Sequence, residues 1–536
     1  MMRFAVLAAV CLFGTFLSAQ SVAGGFALDT VVNPVTNGRA MAFAPDGRLF
    51  YVENDTGNIM IVNNPTSGSS TPVLFATLPS FLPPSGNDLG LHGIAIHPNF
   101  PSSGTSNTDR YIYVCYSTGT AGAPNLEVQR YQENGSNPGT PLSSVPTPIV
   151  AAVSMGASGN NFGGRIAFDA AGQLYVSVGD GGSAIALSGG FAQDTADRRG
   201  KILRYNDDGS IPLSNPISSN AMYALGFRNP RGLAVNPNTG DLFGVDTGNP
   251  SSSGNDELNV ILSNGNYGWD TSGNSGTQSV SGYNDPAWDI TSTFDPSCVA
   301  FYPTSGTAFP AVGYRGGVAY IGSEASAGSI ARVVLTGGSE RNGIVQWTFA
   351  NGFSAGVRDL QFGPDGNLYV MTDGVLYRIR YTGNTSNDPV ANAGIDQTVD
   401  ENTLVTLDAS GSSDPDVGTI LRYTWKQVGG SVLVTINNPT TAMPTFTAPS
   451  VTFTQGFTFE VIVEDGTGGV SDDFVLVTVN NTGNPGDDTG PTGFSPPGEG
   501  GCSTGDTSAW WWAVLAGIAC LLVAARHKRS ARRNDQ

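Results

Sequence analysis

Between Ala221 and Asp270 the chain carries two groups of residues able to do chemistry. The first is Arg228-Asn229-Pro230-Arg231-Gly232, set just before a strand-like run. The second is Asp256-Glu257-Leu258-Asn259, followed by Asn266-Tyr267-Gly268-Trp269. A guanidinium is a rigid, permanently charged fork that suits anionic groups. Arg228 therefore either holds an anion or lies buried with its donors on loop carbonyls. Neighbouring carboxylates are hard oxygen donors of the kind calcium takes, or they cap a turn. A residue that moves a proton needs a pKa near the working pH. Histidine is the usual choice, yet the chain has only 3. His92 lies within a strand-like run, where a lone histidine is more often packed in a core.

These residues need a scaffold, and the chain supplies a repeated one. A strand, a Pro/Asp/Gly turn and a second strand recur from about residue 26 to 381. The unit reads MAFAPDGRLFYVEN from Met41, GIAIHPNF…RYIYVCYS from Gly93 and IAFDAAGQLYVSVGD from Ile166. It returns as LAVNPNTGDLFGVDTG from Leu233, GVAYIGSE from Gly317 and LQFGPDGNLYVMTDG from Leu360. Asp-Gly and Asn-Thr-Gly turns accept positive φ, and the flanking runs alternate as half-buried strands do. Six such units predict an all-β, six-bladed β-propeller over 26–381, with a ligand site on the loops of one face. After a polar linker, 388–480 reads as a β-sandwich with Trp425 in its core. Asp414 and Asp416 read as turn-shaping residues.

The chain has 536 residues, 71 of them glycine, a charged fraction of 13% and a net charge of −19. The acidity, with no basic patch before the last few residues, excludes nucleic-acid binding. Residues 1–23 read as a signal peptide cut after Ala19 or Ala23. Asn481–Asp506 is Gly/Pro/Asp/Thr-rich and reads as a flexible stalk. The apolar run Trp510–Ala525 precedes a basic tail over 526–533, so membrane contact is expected only through this C-terminal segment. The protein is thus expected to be exported, in the periplasm or at the cell surface, and anchored at its C-terminus. Cys115 and Cys298 either pair in an oxidising compartment or stay as two buried thiols.

The Arg-Asn-Pro and Asp-Glu…Asn-Tyr-Gly-Trp elements together resemble the soluble glucose/sorbosone dehydrogenase family. Its members are calcium-dependent six-bladed propellers that use pyrroloquinoline quinone (PQQ) to oxidise a sugar. The resemblance implies a calcium site at Gly248, Asn249, Asp256, Glu257 and Tyr267. It implies cofactor contacts from Arg228, Asn229, Arg315 and Arg358, with a catalytic part for Arg228. Arg358 could instead pair with Asp359. Gln193-Asp194, Arg199–Arg204 and Asp208–Pro212 match the family as architecture, as does His97.

At the catalytic position, as at Phe227, Asn249 and Gly356, the chain departs from the family. The family's catalytic histidine is replaced by Asn161, in Asn160-Asn161-Phe162-Gly163-Gly164-Arg165. A carboxamide orients a hydroxyl but does not accept its proton. Asp88 falls where the family has a pocket-lining Gln or Glu, and the resemblance makes its carboxylate the candidate substitute base. Two functions follow from the resemblance: PQQ- and calcium-dependent oxidation of an aldose or sugar alcohol, or a non-catalytic calcium-stabilised propeller that binds glycan or protein. A lactone hydrolase on the same propeller lacks a matching motif. Residues 388–480 resemble PKD-type immunoglobulin-like domains, which implies a spacer or a module for a glycan or protein partner. The Gly500-Gly501-Cys502, apolar and basic parts of the C-terminus resemble Cys-containing sorting signals of myxobacterial type.

Overall fold

The computed structural model describes residues 20–482, apart from 86–87, 183–189, 249–255, 270–282, 291–293, 304–305, 311–317, 326, 337–341, 384–386, 417–418 and 467–468. The signal-peptide stretch, the stalk beyond Thr482, Cys502 and the apolar C-terminal run lie outside the described residues, as do Asn249 and Arg315. Among the described residues the regular structure is all β, and no helix is long and apolar enough to cross a membrane.

Six antiparallel sheets are arranged as blades around an axis. Their innermost strands are Gly38–Phe43, Leu91–Ile96, Gly163–Phe168, Pro230–Val235, Pro296–Phe301 and Asp359–Phe362. Each touches the next, and the last touches the first, so the ring is closed. The closure uses the N-terminus. Phe26–Val32 pairs with Leu376–Tyr381 as the outer strand of the sixth blade. Five of the six sequence repeats correspond to the first two strands of a blade. The sixth, GVAYIGSE, supplies only a second strand, Val318–Ser323; its inner partner is Pro296–Phe301.

The second strands Leu49–Glu53 and Leu174–Val178 are buried along their whole length. Neighbouring blades cover both faces of such strands, which is why they read as near-continuous apolar runs. The intervening turns are held by aspartates. Asp46 Oδ1 accepts the Arg48 N–H and Asp169 Oδ1 accepts those of Ala171 and Gln173, while Gly47 takes φ +91°. At the axis the inner strands approach closely. A Cβ on Gly93 would lie 2.4 Å from the Gly164 carbonyl oxygen, so no side chain fits there. Arg165 lines a cavity at the axis together with residues of all six inner strands, among them Met41, Gly93, Gly232, Cys298 and Asp359. Its Nε donates to the Arg231 carbonyl at 2.9 Å, and its Nη1 faces Asp359 at 3.3 Å.

The PKD-type domain is a β-sandwich. One sheet holds Gln397–Asp400, Val470–Asn480, Gln455–Glu464 and Arg422–Gly429; the other pairs Leu404–Thr406 with Thr445–Thr447. Trp425 is fully buried at its centre among Phe446, Phe459, Val461 and Val477. Asp416 accepts the backbone and side-chain N–H groups of Asn387, and Asp414 Oδ1 accepts the Asp416 N–H; both shape a turn. The sandwich is pinned to the propeller. Arg332 Nη1 of the fifth blade bonds Glu464 Oε1 at 2.7 Å, with both side chains buried. Cys115 and Cys298 are buried free thiols.

Candidate functional site

A tight antiparallel turn joins the first two strands of most blades. The chain therefore enters the inner strand and leaves the second strand at the same face. Five second strands end in, or are followed within two residues by, an acid: Glu53, Asp180, Asp246, Glu324 and Asp373. Each meets a residue that precedes an inner strand or sits at its start. Gly38, at the start of the first inner strand, pairs in register with Glu53. The Asn161 Nδ2 donates to Asp180 Oδ1 at 2.9 Å. The backbone N–H groups of Arg228 and Asn229 donate to the two oxygens of Asp246 at 2.9 and 2.7 Å. The Glu324 N–H donates to the Asp295 carbonyl, and Arg358 forms a two-pronged pair with Asp373 at 2.5 and 2.9 Å.

Asn161 lies in a connected network. Its backbone has φ +54°, a left-handed conformation that asparagine tolerates better than most residues. The Asn161 N–H donates to Asp88 Oδ2 at 2.9 Å. Asp180 also accepts the Gly182 N–H on Oδ1 and the Trp269 indole N–H on Oδ2, at 2.8 and 2.9 Å. Gly179 is required beside it, because a Cβ there would lie 2.0 Å from the Asn161 carbonyl oxygen. Burial raises the Asp180 pKa, against the opposing pull of the Asn161 and Trp269 hydrogen bonds and of Arg228. The Arg228 guanidinium lies 5.7 Å from the centre of the Trp269 ring. The Asn229 Oδ1 accepts the Gly163 N–H at 3.0 Å. Asp88, Asn161, Arg228 and Asn229 are thus brought together, with Asp180 and Trp269 as the pieces that join them.

The Arg228 Nη1 donates to the carbonyls of Thr247 and Gly248 at 3.1 and 2.9 Å. The Gly248 N–H in turn donates to Asp256 Oδ1 at 2.8 Å. Glu257 stands opposite Asp246 and Asp289 on the two neighbouring strands. Burial pushes the Glu257 pKa up to about 8, helped by the negative charges of Asp246, Asp289 and Asp256 and opposed by the Asn259 hydrogen bond. Burial likewise raises Asp246 to about 7 and Asp256 to about 6. The Tyr267 phenol is used in packing: it stacks on Phe227 and donates to the Val260 carbonyl at 2.5 Å. Among the described residues no three His, Cys, Asp or Glu side chains converge as a metal cage.

Arg358 does not pair with Asp359, which faces Arg165 instead. Arg358 reaches Glu324, as do Arg39 and Arg231. No motif marks Arg39, Asp180 or Glu324. The available signal was the acid that recurs at the end of the repeated unit, in VEND, SVGD, GVD, GSE and MTD.

His92 is fully buried, with Nε2 at 2.9 Å from Ser117 Oγ and its ring stacked on Phe162. Burial lowers its pKa to about 3, with Arg39 pushing the same way and Asp88 opposing. It is a core residue held neutral. Its folded pKa lies below the unfolded value of about 6.5, so the unfolded chain takes up the proton first as pH falls. Stability is then lost from about pH 6.5 downward, at about 1.4 kcal/mol per pH unit. Wild type should lose about 2 kcal/mol more than His92→Gln between pH 7 and pH 5, read by urea unfolding at both values. Equal losses would mean that the ring takes its proton without cost.

Comparison with known proteins agrees with this architecture. The family described as Glucose / Sorbosone dehydrogenase matches residues 35–379, and a family of PKD domains matches residues 393–479. An uncharacterized protein of Synechocystis is 30% identical over 364 residues, 64% of this chain and 83% of that protein. Quinoprotein glucose dehydrogenase B of Acinetobacter calcoaceticus is 29% identical over 290 residues, 50% of this chain and 55% of that protein. A putative oxidoreductase (glucose dehydrogenase) from Thermus thermophilus superposes with a TM-score of 0.52 at 28% identity, covering 66% of this chain and 99% of the other. The closed ring of six blades and the match over its length together place this chain in the glucose/sorbosone dehydrogenase family.

Proposed function

We propose that this chain is an exported oxidoreductase that oxidises an aldose or sugar alcohol with PQQ and calcium. The observation that carries the reading is the network Asp88–Asn161–Asp180–Trp269 with Arg228 beside it. A bound quinone would supply the hydride acceptor for the sugar carbon. The donor chemistry at this face fits such an anionic, planar group: guanidiniums at Arg228 and Arg358, a carboxamide at Asn229 and a Trp269 ring close by. Arg315 belongs to the same proposed set. Asn161 gives its Nδ2 to Asp180, so its Oδ1 is the atom that orients a sugar hydroxyl. Asp88 gives Oδ2 to the Asn161 N–H, so its Oδ1 is the atom that receives the hydroxyl proton.

Calcium would be held by Asp256 and Glu257 with Gly248, Asn249 and Tyr267, the last through its backbone because its phenol is engaged. A dication there would hold Glu257 ionised against the burial that favours its protonated form. The test is PQQ uptake by the metal-free protein when calcium is added, read as a change in the absorption of the quinone. Calcium that binds only the folded chain should also raise the melting temperature, by about 2.7 kcal/mol of stability at a hundredfold excess over Kd. A melting curve indifferent to calcium and to chelator would remove the metal from the proposal.

Asn161 in place of a base favours a second reading, a calcium-stabilised propeller that binds glycan or protein at the cell surface without catalysis. That reading predicts no acceptor reduction with any sugar. The N-terminal apolar run and the Cys502–basic tail pattern support export with C-terminal anchoring. A mature mass ending near Cys502 would support removal of the tail, whereas retention of Arg532 and Arg533 would mean a simple anchor.

A further inference from the structure

An ammonium group sits in a cage of backbone oxygens beside the candidate site. Lys201 opens the third strand of the third blade, Lys201–Tyr205, and is fully buried. Its Nζ donates to the carbonyls of Phe191, Ala192 and Arg199 at 2.7, 3.0 and 2.7 Å. Three accepting oxygens around one atom require three N–H donors on it, and among side chains only a charged lysine has them. Burial lowers the Lys201 pKa to about 8, with Asp197 and Asp194 opposing and Arg199 pushing the same way, so at neutral pH the group is still mainly charged.

The cage ties the turn at 190–193 to the start of that strand. Within this turn, Gln193 grips the segment that carries Trp269. Its Nε2 donates to the Trp269 carbonyl at 2.9 Å and to Asn266 Oδ1 at 3.1 Å, and its Oε1 accepts from Asn266 Nδ2 at 2.8 Å. The Ala192 and Gly200 carbonyls both accept the Gly226 N–H, two residues before Arg228. Packing is close here. A Cβ on Gly200 would lie 2.5 Å from the Ala192 Cβ, and one on Gly226 would lie 2.4 Å from Asn266 Oδ1. Four chain segments therefore meet at contact distance, and from one of them the Trp269 indole reaches Asp180.

We propose that Gln193 and Lys201 are positioning residues that hold Trp269 on Asp180: the caged ammonium fixes the 190–193 turn, and Gln193 fixes Trp269. The consequence for turnover rests on the function proposed above; the hold on Trp269 does not. Without the ammonium, each of three carbonyls loses a charge-assisted hydrogen bond, and the turn is free to open. Asp180 orients the Asn161 carboxamide, and a Trp269 indole displaced by about 1 Å leaves Asp180 with one hydrogen bond fewer.

The test uses the full protein at neutral pH and reads Trp269 and turnover separately. The chain has 7 tryptophans, so the Trp269 signal is the difference between each protein and its Trp269→Phe counterpart. Trp269 is 3% exposed, and acrylamide should barely quench it in wild type. In Gln193→Leu and in Lys201→Ala its quenching should rise at least about twofold and its emission should move to the red. The kcat for acceptor reduction with PQQ and calcium should fall at least about tenfold, while KM changes less than about twofold. Propylammonium, which refills the space left in Lys201→Ala, should restore both readouts, and propanol should restore neither; no rescue overturns the role of the ammonium. A merely structural role would lower the melting temperature and leave Trp269 quenching and kcat as in wild type, and that result overturns the inference. A loosened Trp269 with unchanged kcat overturns it as well. If Trp269 loosens in the variants but wild type reduces no acceptor with any sugar, the hold on Trp269 is supported and the oxidoreductase reading falls. Should Lys201→Ala not fold, Gln193→Leu decides alone by the same two readouts.

Discussion

Asn161→His is expected to raise the rate of sugar oxidation about 10²- to 10⁴-fold, measured as reduction of an artificial acceptor with PQQ and calcium present. The surroundings are already arranged for an imidazole. Asp180 Oδ1 lies 2.9 Å from Asn161 Nδ2 and is held from its other oxygen by the Trp269 indole. A ring at this position would donate one N–H to Asp180 and offer its second nitrogen to a hydroxyl proton. The backbone is compatible too, since histidine is among the residues enriched at positive φ. Under the proposed function the wild-type proton goes to Asp88, so turnover should be slow and Asp88→Asn should abolish what remains. Full activity in Asp88→Asn would leave the fold and cofactor in place and remove Asp88 as the base. If wild type, Asp88→Asn and Asn161→His are all inactive across a panel of sugars, the oxidoreductase reading falls and the binding reading stands.

Arg332→Met should destabilise the protein by about 3–5 kcal/mol, because it strands Glu464 in a buried position without its partner. The pair joins the fifth blade to the PKD-type sandwich, and both side chains are almost fully excluded from water. Burial already pushes the Glu464 pKa up to about 7 against the favourable charge of Arg332. Val470 of the sandwich packs against the propeller core beside this pair. Loss of the tie should appear as a lower urea midpoint and as earlier proteolytic release of the sandwich. The double variant Arg332→Met/Glu464→Leu should recover most of the loss, since two apolar groups carry no desolvation penalty. A double variant as unstable as the single one would mean that packing, not the ion pair, holds the two domains together.

The repeated strand–turn–strand unit was legible because its causes are local. Alternating apolar residues and Asp-Gly turns act over fewer than twenty residues, and they determined an all-β chain with six blades and a separate sandwich around Trp425. Asn161, Arg228 and Asn229 were marked by motif, and Asp88 by position, as residues of one candidate site. What joins them was not. The indole of Trp269 reaches Asp180 across 89 residues of chain, and Asp88 reaches Asn161 across 73. Only closure of the ring brings those atoms within hydrogen-bond distance. Arg358 shows the same limit: its neighbour Asp359 is the obvious partner in the sequence, yet successive residues of a strand point to opposite faces. Asp359 turns to the axis and Arg165, while Arg358 meets Asp373 and Glu324 at the open face. The acids that end the second strands were visible as letters in the repeat. Their convergence was decided by the tertiary structure, because every blade delivers its inner-strand entry and its second-strand exit to one rim.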